Sequence, residues 1–268
     1  MAGSVPSSKR TTLSNNLNLL YEKVEALLNR PSTFSSEEIR PFQTKGKGRF
    51  FLAEGYDQKG PIFIKIYKRG GLLGRFVEDL YFGKKRFSKE FDMLKSLRHL
   101  GFGVPEPVGV VTRRWFGPLY KGALLTRYAI GFIPLPQAWA SLRQGPILKA
   151  LATTLVRLHA AGIEHKDLNL NNFLVRTEKD AVSLIVVDFD KAKIHKRPVS
   201  SLKRGYGLIR MERSAHKILG KEFSSPFFIK LCQAYVNELP KKGGLLWSMR
   251  SLRVVLKVRY ALADLLHV

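Results

Sequence analysis

A chain of 268 residues with 45% apolar content can bury a full core, which excludes disorder throughout, and its formal charge of +25 calls for an anionic partner such as nucleic acid, phosphate or an anionic membrane surface. The single cysteine, Cys232, excludes a disulfide within the chain and fits a reducing compartment; its setting in FFIKLCQAYV is that of a small buried hydrophobe, not a nucleophile. The first residues lack the apolar run of a signal peptide and no later segment has about 18 uninterrupted apolar residues, so the expectation is a cytosolic protein, soluble or peripheral.

Residues 1–39 open as a Ser/Thr/Asn-rich tail and continue in LNLLYEKVEALL, where Leu20, Val24 and Leu27 or Leu28 recur at helical spacing; a short packed helix is expected, then a linker. From Phe42 the texture changes to RFFLAEGY and PIFIKIY around the turn-like DQKG, the pattern of a β-hairpin. RFSKEFDMLKSLRHLG predicts a helix with Phe91, Leu94, Leu97 and Leu100 on its apolar face and Gly101 as its stop. VPEPVGVVT and GALLTRYAI follow as strands.

After Gly131 the pattern turns helical, most clearly in ILKALATTLVRLHAAG, with Leu148, Leu151, Leu155 and Leu158 as the stripe and Gly162 as the stop. A polar loop, EHKDLNLNNFLV, leads into two short apolar runs, and the remainder is mainly helical. No internal repeat is present. The expected organisation is an N-terminal extension (1–39), a small strand-rich lobe with one helix (40–127) and a larger helical lobe (128–268), an α+β protein of two lobes.

The polar loop carries His165, Asp167 and Asn172 in H-x-D-x-x-x-x-N between a long helix and a strand. That is the spacing of a protein-kinase catalytic loop, where the aspartate accepts the proton of the acceptor hydroxyl and the asparagine binds magnesium. A capped Asn- and Asp-rich turn has the same composition. The next apolar run ends in Asp188, Phe189 and Asp190, as the kinase D-F-G magnesium site does, with Asp190 in the glycine's place. Upstream, Lys65 in FIKIY lies on a strand where a kinase holds its phosphate-contacting lysine, and Glu90 on the following helix matches the carboxylate that secures it better than Asp92 does. Gly46 and Gly48 in TKGKGRFF fall at the first hairpin, where backbone amides could cover phosphates, although a glycine pair alone is an ordinary turn. Five features thus occur in kinase order, and that order is far more specific than any member.

Four stretches, IYKRGGLLGRFVEDLYF, RFSKEFDMLKSLRHLGFGVPEP, LHAAGIEHKDLNLNNFLV and VVDFDKAKI, resemble the lipopolysaccharide kinase family, in particular 3-deoxy-D-manno-octulosonic acid (Kdo) kinases and their heptose-kinase relatives. The resemblance runs from about Gly46 to Lys193, and in that family the loop is similar to H-x-D-L-N-x-x-N and the metal motif to D-F-D, so Asn169 and Asp190 fit it. It implies a protein-kinase-like fold and an ATP- and Mg2+-dependent transfer of phosphate to a sugar hydroxyl of the lipid A inner core. The expected place is the cytoplasmic face of the inner membrane. By the same resemblance Asp167 is the catalytic base, Asn172 and Asp188 are metal ligands, and Lys65, Glu90, Gly46 and Gly48 serve the nucleotide.

The expected partners are therefore ATP, a glycolipid acceptor and an anionic membrane surface, with nucleic acid disfavoured; the alternative is an inactive kinase-like module that binds an anionic partner, RNA or lipopolysaccharide. Lys65, Asp167, Asn172 and Asp188, all intact, argue against that module, and the absence of an A-P-E-like segment after Asp188 argues against an atypical protein kinase. Arg69 and Arg75 could meet a charged acceptor, although a solvated basic loop is the simpler account of each. KAKIHKRPVSSLKRGYGLIRMERSAHK could face lipid headgroups or be a solvated helix face. In the C-terminal segment Arg250, Arg253 and Lys257 share one helical face, that of a peripheral membrane helix or of a cationic outer helix.

Overall fold

A computed structural model describes residues 7–29, 37–42, 49–68, 79–179 and 181–239. The expectations for Gly46, Gly48, Arg69, Arg75, Arg250, Arg253 and Lys257 therefore lie outside the described residues. The chain divides into two compact units, Met1–Ile130 and Gly131–Val268.

The first unit runs α1 (Ser7–Asn29), β1 (Ile39–Pro41), β2 (Arg49–Ala53), β3 (Ile62–Ile66), β4 (Tyr81–Phe82), α2 (Lys85–His99), β5 (Pro107–Phe116) and β6 (Leu119–Arg127). All its strand pairs are antiparallel: β1 with β2, β2 with β3, and β3, β4 and β5 each with β6. Strand alternation divides β3 between two faces. Ile62, Ile64 and Ile66 are buried in one cluster with Leu20, Val24, Leu27 and Leu28 of α1 and with Ala123 and Leu125 of β6. Lys65 pairs with Leu124 on the opposite face, where α2 packs. The N-terminal helix is thus a layer of the unit, longer than the segment its apolar spacing marks, and it closes one side of the sheet whose other side carries Lys65.

The approach of α2 is set by Gly122 on β6. A Cβ there would lie 2.4 Å from the ring of Phe87, which is fully buried in the first turn of α2. The buried face of α2 is Phe87, Glu90, Met93, Leu94 and Leu97. This corrects the stripe expected from periodicity, because Leu100 is 54% exposed and Phe91 is only half-buried. The helix is rolled so that a carboxylate, Glu90, sits among its apolar contacts.

The second unit continues with β7 (Ile133–Pro134), α3 (Leu135–Ser141), α4 (Gln144–Ala160), β8 (Ile163–Glu164), β9 (Phe173–Glu178), β10 (Ala181–Val186), β11 (Lys193–Ile194), α5 (Ser201–Leu219) and α6 (Lys221–Asn237). The β9–β10 hairpin is extended by β7, and β8 pairs with β11. Leu148, Leu151, Leu155 and Leu158 of α4 are buried as their spacing predicts. Gly162 ends that segment at φ 75, and a Cβ there would stand 2.4 Å from the His195 carbonyl oxygen, so the turn into β8 requires glycine twice over. Cys232, expected as a buried hydrophobe, is only half-buried on α6 and is in no disulfide. Among the described residues no helix is long and apolar enough to cross a membrane.

Behind the loop that follows α4, the buried His159 Nδ1 shares a 2.7 Å hydrogen bond with the Tyr235 hydroxyl on α6. Burial first, and Arg204 second, hold the imidazole down to about 3, while burial pushes the Tyr235 phenol up to about 12. The folded state therefore binds fewer protons at His159 than the unfolded chain does, and its contribution to stability is complete above about pH 6.5 and is lost as pH falls toward 3. The expected outcome is a urea midpoint that drops through this window, by at most about 1.4 kcal/mol of stability per pH unit for this one group. A His159→Gln variant should show a shallower drop; parallel pH profiles for the two proteins would remove His159 from this role.

Candidate active site

In the first unit the site is built on the centre of the sheet. Lys65 is flanked by Phe50 of β2 and Leu124 of β6, so its backbone is fixed by both neighbours. Its Nζ lies 3.0 Å from both Oε1 and Oε2 of Glu90, and the Tyr67 hydroxyl donates to Oε2 at 2.8 Å. The Glu90 side chain is 3% exposed and that of Lys65 is 19% exposed, so the carboxylate is the buried anchor and the ammonium the group that retains access to solvent. Tyr67, Phe87 and Tyr81 meet edge to face around the pair, with Tyr67 and Phe87 ring centroids 5.3 Å apart. These rings fill the space that water would need to solvate Glu90.

Tyr67 is absent from the residues that the sequence pattern singled out. Its signal was available, since the second residue after Lys65 falls on the same side of an extended chain. Asp92 is exposed, and of the two α2 carboxylates weighed it is Glu90 that bonds Lys65.

In the second unit the polar loop is a set of tight turns. The Asp167 N–H donates to the His165 carbonyl at 2.8 Å, which puts the intervening Lys166 at φ 59. Left-handed backbone is costly for a side chain of that size and persists only where surroundings over-determine it. Here the Asp167 carbonyl accepts from both the Asn169 N–H and the Asn172 side-chain amide, each at 2.9 Å. The Asn172 amide nitrogen is thereby committed to the loop, and Oδ1 is the end of the side chain suited to a cation.

The second motif is tied directly to the first. Phe173 pairs with Val186 at the base of the β9–β10 hairpin, and one residue on the Val187 N–H donates to the Asn172 carbonyl at 2.9 Å. Asp188 follows at once, held at φ 64. His165 braces both: it is 2% exposed, its Nε2 bonds the Val187 carbonyl at 3.0 Å, and its ring lies 4.8 Å from that of the buried Phe189. Burial holds the imidazole below its ordinary range against the pull of that carbonyl and of Asp188 and Asp167, so it is the neutral form that donates through Nε2. His165 is a structural member of the motif.

Helix α5 supplies two residues that sequence reasoning missed. Arg210 Nη2 donates to Asp167 Oδ1 at 2.8 Å. One turn on, Ser214 donates to Asn169 Oδ1 at 2.8 Å and accepts from the Leu170 N–H at 3.0 Å. The basic tract expected to face lipid or solvent thus spends Arg210 on the loop carboxylate. Nothing local in RGYGLIRMERSAHK distinguishes that arginine from its neighbours.

As ligands for a nucleotide's metal, Asn172 Oδ1 and the Asp188 carboxylate are the hard oxygen donors that magnesium takes, one or two from protein and the rest from phosphate and water. Among the described residues there is no cluster of three or more His, Cys, Asp or Glu side chains of the kind that forms an all-protein metal cage. The residues present fit a metal that arrives with its phosphates.

The chain matches the model of the "Lipopolysaccharide kinase (Kdo/WaaP) family" over residues 35–235. It is 31% identical over 207 residues to the 3-deoxy-D-manno-octulosonic acid kinase of Photobacterium profundum, covering 73% of this chain and 82% of that one. It is 29% identical over 168 residues to the same-named kinase of Vibrio vulnificus, covering 57% of this chain and 68% of the relative. Among solved structures it is similar to WaaP in complex with acyl carrier protein, at a TM-score of 0.50 and 17% identity over 79% of this chain and 86% of that chain, a likeness of fold. Helix α1 precedes the matched residues.

Removing Lys65 takes from a buried carboxylate the ammonium bonded to both its oxygens, and breaking such a pair costs about 3 kcal/mol or more, so Lys65→Met should lower the urea midpoint clearly. Glu90→Gln in the same chain should restore about 1 kcal/mol or more, since the amide needs no counter-charge. A double variant no more stable than Lys65→Met alone would show that the two side chains are not energetically paired.

Proposed function

The chain belongs to the lipopolysaccharide kinase (Kdo/WaaP) family, and from that membership we propose that it transfers the γ-phosphate of ATP, with magnesium, to a hydroxyl of a Kdo or heptose residue on the lipopolysaccharide inner core. The family is one of phosphotransferases acting on a sugar hydroxyl. The observation that carries the finer reading is the Val187 N–H to Asn172 carbonyl bond, which holds the loop bearing Asp167 and Asn172 against the strand end bearing Asp188.

In this reading the acceptor hydroxyl donates to Asp167 and loses its proton to that carboxylate as its oxygen bonds to the γ-phosphorus. The bond from phosphorus to the bridging oxygen breaks, and ADP leaves with the electron pair. Magnesium, held by Asn172 Oδ1 and the Asp188 carboxylate, would neutralise charge on the phosphates. Lys65, kept in place by Glu90 and Tyr67, would donate to the phosphate oxygens. The charge of +25 supports work at the cytoplasmic face of an anionic leaflet, where each basic residue close to the surface contributes about 1 kcal/mol.

The direct test is incubation with labelled ATP, magnesium and a panel of Kdo- and heptose-bearing lipid A acceptors, with products read by mass spectrometry. Phosphorylated sugar is expected; ATP consumption without any sugar product would overturn the reading. Asp167→Asn should retain nucleotide binding while turnover falls about 10²- to 10⁴-fold, the scale of a positioned general base. Asp188→Ala should abolish the dependence of nucleotide binding on magnesium, and an unchanged dependence would exclude Asp188 as a ligand. Sedimentation with anionic but not neutral vesicles, reversed by salt, is expected of the full chain.

A further inference from the structure

Arg210 reaches the Asp167 carboxylate from outside the polar loop, and its placement is fixed by the fold. It projects from α5 one turn before Ser214, which holds the same loop through Asn169 and Leu170. Gly207, one turn earlier, packs so closely on the loop that a Cβ there would meet Leu168 at 2.9 Å. The helix is therefore seated on the loop along one face, and the 2.8 Å bond from Arg210 to Oδ1 is a consequence of that seating.

For orientation of the loop a neutral donor suffices, as Ser214 shows at Asn169. Arg210 brings more: a permanent positive charge and five N–H donors in a planar fork suited to carboxylate and phosphate. Its side chain is 38% exposed and that of Asp167 is 34% exposed, so both are open to an incoming molecule. Whatever hydroxyl uses Asp167 as its base must come within about 3 Å of that carboxylate, and so within reach of the guanidinium bonded to it.

The surroundings are already rich in cations. Lys166 adjoins Asp167; on β8 and β11 Glu164 lies opposite Lys193; and Lys203 of α5 is 3.5 Å from Glu164, which also accepts from His195 at 2.7 Å. Partial desolvation, and then Lys193 and Lys203 acting against the pull of Glu164, hold the Lys166 ammonium below the ordinary lysine range. Cations from the loop, β11 and α5 thus gather around Lys166 and Glu164 beside Asp167.

We propose that Arg210 is an acceptor-recognition residue, which grips Asp167 Oδ1 with one N–H and presents its remaining donors to an anionic oxygen group, carboxylate or phosphate, on the sugar acceptor. This rests on the sugar-kinase reading and deepens it: the acceptor is acidic close to the hydroxyl that reacts. The relatives are named for a sugar acid, whose carboxyl group is a group of this chemistry.

The test compares three acceptors with the full-length enzyme: a Kdo-bearing lipid A precursor, the same molecule with its sugar carboxyl amidated, and the same molecule with its phosphates removed. Wild-type enzyme should lose about 10- to 100-fold in kcat/KM on one of the neutralised acceptors, the scale of one charge-assisted contact, with the loss mainly in KM. Arg210→Met should lose the same factor on the intact acceptor, show no further loss on that neutralised one, and keep its KM for ATP. Arg210→Lys, which keeps the charge without the fork, should fall between them. The neutralised arm that matters identifies the anion as carboxylate or phosphate.

Wild-type activity indifferent to both neutralisations overturns the proposal, whether or not the variants fold. So does an Arg210→Met enzyme that keeps the wild-type preference for the charged acceptor while kcat falls equally on all three, which would make Arg210 an orienting residue of Asp167 alone. Wild-type enzyme that phosphorylates none of the sugars overturns the sugar-kinase reading first, and this proposal with it.

Discussion

The hydrogen bond from the Val187 N–H to the Asn172 carbonyl joins two polar motifs at the open end of the β9–β10 hairpin. It extends the Phe173–Val186 pairing by one rung, so Asn172 and Asp188 stand at one end of a paired hairpin and not on independent chain ends. The hairpin register delivers the two residues together, and His165 seals the joint by bonding the Val187 carbonyl from a buried position. Two strained residues, Lys166 at φ 59 and Asp188 at φ 64, flank the arrangement. Strain of that kind costs on the order of 1–3 kcal/mol per residue and is tolerated because the joint leaves the backbone no relaxed alternative.

The first unit meets a different constraint, the burial of a charge. Glu90 is nearly inaccessible, and a buried carboxylate is tolerable only when its lone pairs are satisfied and its charge is met. Lys65 meets the charge and Tyr67 adds a donor. That geometry needs α2 close to the sheet, and the missing side chain at Gly122 provides the clearance for Phe87, one turn before Glu90. On the other face, α1 supplies Leu20, Val24, Leu27 and Leu28 to the core, so the strand that carries Lys65 is packed from both sides. The rigidity of Lys65 therefore depends on a helix that precedes the family-matched region.

Positive charge is distributed with more purpose than composition suggests. Arg210 is spent on Asp167, Arg127 bonds Asp57 at 2.6 Å, and Lys203 and His195 meet Glu164. Such pairs fix loops and turns. The remaining excess is a property of the whole chain.

Whatever rests on short-range periodicity and on motif spacing was legible in the amino-acid order alone. The alternation of PIFIKIY placed Lys65 on a strand, the leucine stripe of α4 with Gly162 marked the turn into the polar loop, and the order of Lys65, Glu90, Asp167, Asn172 and Asp188 pointed to a kinase-like fold. These features are legible because helix and strand repeat every 3.6 and 2 residues, and because the chemistry of phosphate transfer demands particular side chains in a particular order. The roll of α2, which buries Glu90 and exposes Leu100, emerged only from packing, since a stripe fixes a helix's face only to within a residue or two. Packing alone joined Arg210 to Asp167 and Ser214 to Asn169 across 43 and 45 residues, and made α1 a wall of the first unit. Such contacts leave no local trace: a helix surface carries many arginines and serines at similar spacing, and which of them meets the polar loop depends on how the helix is packed, a property of the whole core and not of any window of sequence.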